Sequence, residues 1–313
     1  MLTVSIMGGL GNQLFEIFTL IATALRNNDK FFLMDGQKLW CNPGHSRYTY
    51  WTTLFKGLHK YIIHSDETTE KMFNSLEIWN EIPFVYTPTP TDTIKYTNAL
   101  RLNGHFQSEK YFKDKYQEIC EMMELKKQQE LVKEIYASET WSSDYSGLST
   151  KKRILVSTHF RMGDYLINPK FHLIMSADYY YSAISHIISK QGCSNAYTFI
   201  VFYELCDKSI VEKYINDMKE RCATNINGCD IQFHYIRTDI VDWQQLLLMS
   251  VCDHNIIANS TFSWWGAYFN NNPNKIVCYP SIWLGRDNNF AFDINDLCLS
   301  TWDKIEATTN PSF

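Results

Sequence analysis

The chain has 313 residues, 45% hydrophobic and 20% charged, an ordinary globular composition with room for two cores. Its 29 Lys and Arg against 34 Asp and Glu give a formal net charge of −5, without the basic excess of a nucleic-acid groove. No apolar run approaches the roughly 20 residues of a membrane span, and Met1 to Met7 lacks the basic start of a signal peptide, so a soluble chain with no integral membrane segment is expected.

Leu2 to Met7 alternates apolar and small residues and predicts a first strand, broken by Gly8-Gly-Leu-Gly11. Asn12 is placed as a helix N-cap, and Leu14, Phe15, Phe18, Ile21, Ala22 and Leu25 recur at helical spacing, predicting an amphipathic helix over Gln13–Arg26. Phe31 to Met34 reads as the next strand, completing a βαβ opening. A glycine turn at a helix start brings backbone N–H groups towards an anion, although glycines there also serve simply as tight-turn residues. Leu14 stands where a dinucleotide fingerprint needs its third glycine, and no P-loop lysine follows.

From Cys41 to about Leu100 prolines at 43, 83, 88 and 90 and a poor apolar pattern predict irregular structure. Arg101 to Phe112 follows, then a charged helix from about Lys113 to Ser138, and a polar linker at Ser142–Lys152. Beyond it, strands at Ile154–Val156, Tyr197–Tyr203, Ile231–Ile236, His254–Ala258 and Lys275–Tyr279 alternate with helices at Ala177–Ser189, Lys208–Arg221, Asp242–Val251 and up to about Asn270. That alternation predicts an α/β, doubly wound parallel sheet.

Nine cysteines without a CxxC pair, several in apolar runs, read as reduced thiols and hence as a cytoplasmic protein; Cys222 and Cys229 are the pair to consider had the chain been secreted.

Three loops follow predicted strands: Gly8–Gln13, His159–Tyr165 and Asn259–Trp265. In open α/β sheets ligands bind at that edge. Arg161 offers a planar fork suited to phosphate, and read alone it is equally a surface arginine after a strand. Asn259, Ser260, Thr261 and Ser263 supply an amide and hydroxyls at a helix start, which suits phosphate oxygens or a plain N-cap cluster with Trp264 and Trp265 packed inside.

Together, Gly8-Gly-Leu-Gly-Asn-Gln-Leu-Phe15, Gly104-His-Phe-Gln-Ser-Glu-Lys-Tyr-Phe112, His159-Phe-Arg-Met-Gly-Asp-Tyr165 and Asn259-Ser-Thr-Phe-Ser-Trp-Trp-Gly-Ala267 resemble, in order, the signature segments of the α-1,2-fucosyltransferases. The resemblance covers residues 1 to about 285. It implies a GT-B-type fold of two Rossmann-like domains facing a central cleft, with 1–145 mainly on the acceptor side and 152–313 binding the donor. It implies an inverting transferase that moves L-fucose from GDP-β-L-fucose to the 2-hydroxyl of a galactose in a glycan, with no cofactor and no metal. The absence of a DxD triplet fits that expectation.

Under this resemblance Arg161 is assigned to the pyrophosphate, where a fixed guanidinium stabilises charge growing on the leaving GDP. His159, Ser260, Thr261 and Ser263, with Asn259, are placed on the donor, and Gly9, Gly11, Asn12 and Gln13 close over it. Asp164 and Glu16 are the candidates for the base, Glu16 standing where the family usually has glutamine. Phe202-Tyr-Glu-Leu205 departs from the family's Phe-Ser-Asp-Asp and leaves the nucleoside contacts to Glu204 or Asp207. The competing readings are a transferase of the same scaffold with another nucleotide sugar, a non-catalytic sugar-binding protein, and, disfavoured by Leu14, a dinucleotide oxidoreductase.

Overall fold

Parallel sheets order both halves of the chain. The computed structural model describes residues 1–37, 39, 48–90, 99–136, 152–168, 170–285 and 292–309, without the side chains of Ile135, Tyr136 and Asp164. Packing divides the chain into a first unit, residues 1–128 with 289–299, and a second, 129–288 with 300–313. The expected linker at 142–152 lies outside the described residues except for Lys152.

The first unit holds β1 (Leu2–Val4), α1 (Leu10–Arg26), β2 (Leu33–Met34), β3 (Ile62–Ile63), α2 (Glu67–Asn74), β4 (Glu77–Asn80), β5 (Leu100–Asn103) and α3 (Tyr116–Met122). Helix α4 (Leu125–Tyr136) contains the division between the units. The second unit holds β6 (Arg153–His159), α5 (Ala177–Gln191), β7 (Ala196–Phe202), α6 (Lys208–Asn225), β8 (Asp230–Tyr235), α7 (Asp242–Ser250), β9 (His254–Ile256), α8 (Thr261–Tyr268) and β10 (Val277–Pro280). Helix α9 (Ile294–Leu297) packs with the first unit, and β11 (Asp303–Ile305) returns to the second.

In the first unit β1, β5 and β4 pair in parallel in that order, and β2 pairs with β3. A parallel bridge from Leu2 to Phe31 sets the second pair beside β1. The chain thus winds from β1 to one side and returns on the other, so its switch point lies between β1 and β5. The expectation of irregular structure over 41–100 is corrected: β3, α2 and β4 lie there. Their apolar runs are short, and β4 is mostly exposed, so no alternation betrays them.

Helix α1 begins at Leu10 with Gly9 as its N-cap, three residues ahead of the expected start, so Asn12 is not the cap. It is buried nearly all round rather than amphipathic, because β1 covers one side and α3 another. Phe18, for example, meets Tyr116 of α3, their ring centroids 6.2 Å apart. Gln13, Glu16 and Thr19 are therefore fully buried too. The charged helix expected over 113–138 breaks at Glu124, whose φ of 55° ends one helix before α4 begins.

The second unit is a six-stranded parallel sheet in the order β11-β10-β9-β6-β7-β8. Taking β6 as its first strand, this is the 3-2-1-4-5-6 Rossmann winding, with the switch point between β6 and β9. All seven residues of β7 are buried, as a central parallel strand requires. Trp264 and Trp265 are fully buried in this unit, Trp264 stacking on Tyr268 at 4.6 Å.

Both units are thus α/β with parallel sheets, as expected of Rossmann-like halves. One expectation about the cysteines is corrected: Cys193 and Cys229 form a disulfide, and Cys222 is free and buried. Among the described residues no helix is long and apolar enough to cross a membrane.

Candidate functional site

In each unit the sequence segments singled out above converge on the sheet's switch point, at the carboxyl ends of its strands. In the second unit β6 delivers His159 and the loop Phe160–Tyr165, and β9 delivers Asn259 and the start of α8. The two loops are tied together: the Tyr165 hydroxyl donates to the Asn259 carbonyl at 2.9 Å. Phe160 anchors its loop by stacking on Tyr180 at 4.1 Å and donating its amide to the Phe202 carbonyl at 2.8 Å.

Arg161 projects beyond this anchor. Its guanidinium pairs with the Glu204 carboxylate just past β7 and lies 5.3 Å from the Tyr165 ring centroid. The side chain is only 16% exposed, so its position is fixed before a ligand arrives. Five N–H donors let the fork serve Glu204 and an anion together. Gly163 is required here. Its φ is 27°, and a Cβ would lie 2.7 Å from a Glu204 carboxylate oxygen. Its amide donates to both oxygens of buried Asp207, at 3.0 and 2.9 Å. Burial pushes the Asp207 carboxyl above its ordinary range, against that amide bond.

His159 is buried and neutral. Burial, with Arg161 nearby, pushes its pKa down to about 3, so it contributes an uncharged imidazole. The remaining donor-side candidates divide. Asn259 is committed to structure, its amide donating to the Leu173 and Trp283 carbonyls at 2.9 Å each. Ser263 turns back into its own helix, towards the Ser260 carbonyl at 3.3 Å. Ser260, the N-cap of α8, makes no side-chain cap bond, and Thr261 beside it is half-buried. Asp164 lies in the 3-10 turn Gly163–Ile167, and its side chain is outside the described set.

Glu204, Cys206 and Asp207 bring ligand atoms within 4.8 Å of one another, the one such group among the described residues. Their electrostatic roles are already taken, Glu204 by Arg161 and Asp207 by the Gly163 amide. A cavity of about 940 Å³ opens at the opposite, amino end of the sheet beside Lys152, Ile154, His254 and Ile276, away from these loops.

In the first unit β1 leads into Gly8–Gln13 and β5 into Gly104–Gln107, and the Gln107 side chain donates to Asn12 at 3.3 Å. Gln13 is a brace, its amide donating to the Gly8 and Tyr48 carbonyls at 3.2 and 2.9 Å. Gly9 caps α1 and Gly11 is buried within its first turn.

Glu81, from a stretch that carried no motif, organises the second loop. One carboxylate oxygen accepts the His105 and Phe106 amides at 2.8 Å each, the other the Tyr111 hydroxyl at 2.9 Å. Gly104 permits this, because a Cβ there would lie 2.4 Å from that of Glu81.

Glu16 is fully buried. One oxygen accepts the Met7 amide at 2.9 Å, and the other faces His105 Nδ1 at 3.7 Å. It therefore has no direct access to a substrate and acts only through a neighbour. Burial holds its carboxyl well above the usual range, with Glu81 adding to the effect and the Met7 amide opposing it.

An unfolded chain loses this proton near pH 4.5 and the folded chain only at higher pH. The contribution to stability is complete below that value and is lost as pH rises through the folded pKa. In that interval it falls by about 1.4 kcal/mol per pH unit. Unfolding free energies measured across the interval should show a slope one proton shallower in Glu16→Gln than in the natural chain.

The sequence pattern of glycosyl transferase family 11 matches residues 1–305. The chain is 38% identical over 135 residues to the Escherichia coli O-antigen biosynthesis glycosyltransferase WbnK, covering 42% of this chain and 40% of that protein. It is 31% identical over 208 residues to an Escherichia coli alpha-1,2-colitosyltransferase, covering 65% and 61%. The matches thus span less than two thirds of either relative. A point mutant of Arabidopsis thaliana FUT1, solved in complex with GDP, superposes with a TM-score of 0.46 at 13% identity, over 89% of this chain and 70% of that one.

Proposed function

The chain belongs to glycosyl transferase family 11, and from that premise we propose that it transfers L-fucose from GDP-β-L-fucose to the 2-hydroxyl of a galactose in a glycan, with inversion and without a metal or cofactor. The observation that carries the donor half of this reading is Arg161, preorganised at the switch point of the Rossmann-wound sheet. The acceptor oxygen attacks the anomeric carbon, the bond from that carbon to the β-phosphate oxygen breaks, and GDP leaves with the electron pair. Arg161 stabilises the charge that appears on that phosphate, which is worth most in the transition state. Ser260 and Thr261 at the start of α8 take further phosphate oxygens, assisted by the helix dipole. The second unit is the donor side and the first the acceptor side.

A second reading keeps the carrier and changes the sugar. The relative named as an alpha-1,2-colitosyltransferase favours it, since colitose is fucose lacking one hydroxyl. Transfer assays with both GDP-sugars against a panel of galactosides, the product linkage read by NMR, separate the two. Calorimetry should show binding of GDP and not of UDP, and excess chelator should leave turnover unchanged. Tight UDP binding without GDP binding, or loss of activity on chelation, would overturn the reading.

A further inference from the structure

In the first unit two polar atoms that ordinarily find partners are buried without a hydrogen bond and face each other: Glu16 Oε1 and His105 Nδ1, 3.7 Å apart. They lie at the switch point between β1 and β5, Glu16 on α1 and His105 on the loop that Glu81 clamps. The enclosed Nδ1 is one edge of a ring that keeps 37% side-chain exposure, so the exposed part of the side chain lies away from Glu16. Phe84 stacks beside the ring at 6.2 Å and limits how it turns. A carboxylate behind one ring nitrogen, with the other nitrogen open, is the geometry in which an acid orients an imidazole for proton abstraction. Such contacts are commonly long in the absence of substrate and shorten when it binds.

We propose that His105 is the catalytic base that receives the acceptor hydroxyl's proton on Nε2, and that Glu16 is the positioning residue that fixes its Nδ1–H tautomer. The proposal rests on the transferase reading above. As the acceptor oxygen bonds to the anomeric carbon, its proton passes to His105 Nε2, and GDP departs from the opposite face with the electrons of the broken bond. Glu16 takes no proton from the substrate; it accepts the Nδ1–H bond that leaves the Nε2 lone pair outward.

This works only with Glu16 ionised. When it carries a proton it donates to Nδ1 instead, the ring proton moves to Nε2, and the base is lost. The protein's activity therefore rises with pH through the Glu16 titration. Burial lowers the pKa of His105 and so favours its neutral ring. The charges on the elements around α1 are engaged elsewhere: Lys110 with Asp296, Asp114 with Arg26, Lys115 with Glu118, and Glu109 with Lys113. Tyr111 is bound to Glu81, Cys120 is buried and protonated, and Glu121 is exposed on α3, leaving Glu81 as the neighbouring charge that acts on Glu16.

Glu16→Gln is the discriminating substitution. Its oxygen keeps the Met7 amide, and its NH2 donates to Nδ1, forcing the inactive tautomer without a change of size. The expected result is a loss of about 100-fold or more in kcat, unchanged KM for the donor, and disappearance of the ascending limb of the pH profile. His105→Gln should lose as much, and the double variant no more than either single one. Nitrogen NMR of the ring needs no substrate: it should show Nδ1–H in the natural chain above the Glu16 pKa and Nε2–H in Glu16→Gln. The same tautomer in both, or a natural kcat in either variant, overturns the proposal. If the natural chain turns over no nucleotide sugar the transferase reading fails, while the tautomer measurement still decides the pairing.

Discussion

Replacing Arg161 with alanine should lower turnover by at least ~100-fold, the scale of losing one well-placed charge stabiliser. The guanidinium is held by Glu204 and Tyr165, so the proposed reaction needs no reorganisation there as charge develops on the leaving diphosphate. The loss should fall on both kcat and donor affinity, because the deletion does more than remove a cation. It also removes the partner of the Glu204 carboxylate, which in the proposed donor complex would then face two phosphates without compensation. Arg161→Lys keeps the charge but not the fork, and should lose less. Adding Glu204→Gln to Arg161→Ala should recover donor affinity without recovering kcat, since it removes repulsion but supplies no stabiliser. Steady-state rates on GDP-fucose with GDP affinities from calorimetry check all three. Near-natural turnover by Arg161→Ala would remove it from the mechanism.

The second unit was legible in the sequence because its inner strands β6, β7, β9 and β10 are largely or wholly buried. Runs such as Tyr197–Tyr203 are nearly continuously apolar, and the helices between them are long enough to show their period. The first unit hid most of its sheet. β3 and β4 are two and four residues long, the one half-buried and the other mostly exposed, and carry no alternation. Its winding was visible at Leu2–Met34 and nowhere else. The same contrast holds for the site. Motif order marked the loops but not the division of labour within them. Asn259, Gln13 and Ser263 have side chains suited to phosphate, and their hydrogen bonds go to carbonyls of their own fold. Hydrogen-bonding capacity is read from a residue type, while the partner that uses it depends on loops brought together only by folding. Glu204 was marked as a departure from a pattern, and its role as counter-ion to Arg161 follows from β6 and β7 being neighbours in register.

Glu81 was missed altogether, and its removal should be the most damaging single change to the fold of the first unit. It stands just past β4, and its carboxylate accepts from two backbone amides and a phenol in a nearly closed environment, 8% exposed. Glu81→Ala leaves those donors buried without an acceptor, at about 1–3 kcal/mol for each group that water cannot reach. A total loss of about 3–5 kcal/mol is expected, the range in which one partner of a buried charged network is deleted. The damage is local in its origin, because Phe106 holds a φ of 52° that favours glycine or asparagine and has little to hold it there once its amide is released. Glu81→Gln should cost far less: its oxygen can keep the two amides, and its NH2 can meet the Tyr111 oxygen, which also accepts from Thr87. Tyr111→Phe, which removes only the phenol, should fall between these. Denaturant unfolding of the three variants tests that ranking, and an alanine variant within about 1 kcal/mol of the natural chain would show that the loop does not depend on this clamp. Because the same clamp sets the backbone of His105, Glu81→Ala should, under the proposed reaction, lose acceptor turnover even at temperatures where it stays folded, while its affinity for GDP, assigned by that proposal to the second unit, should be unchanged.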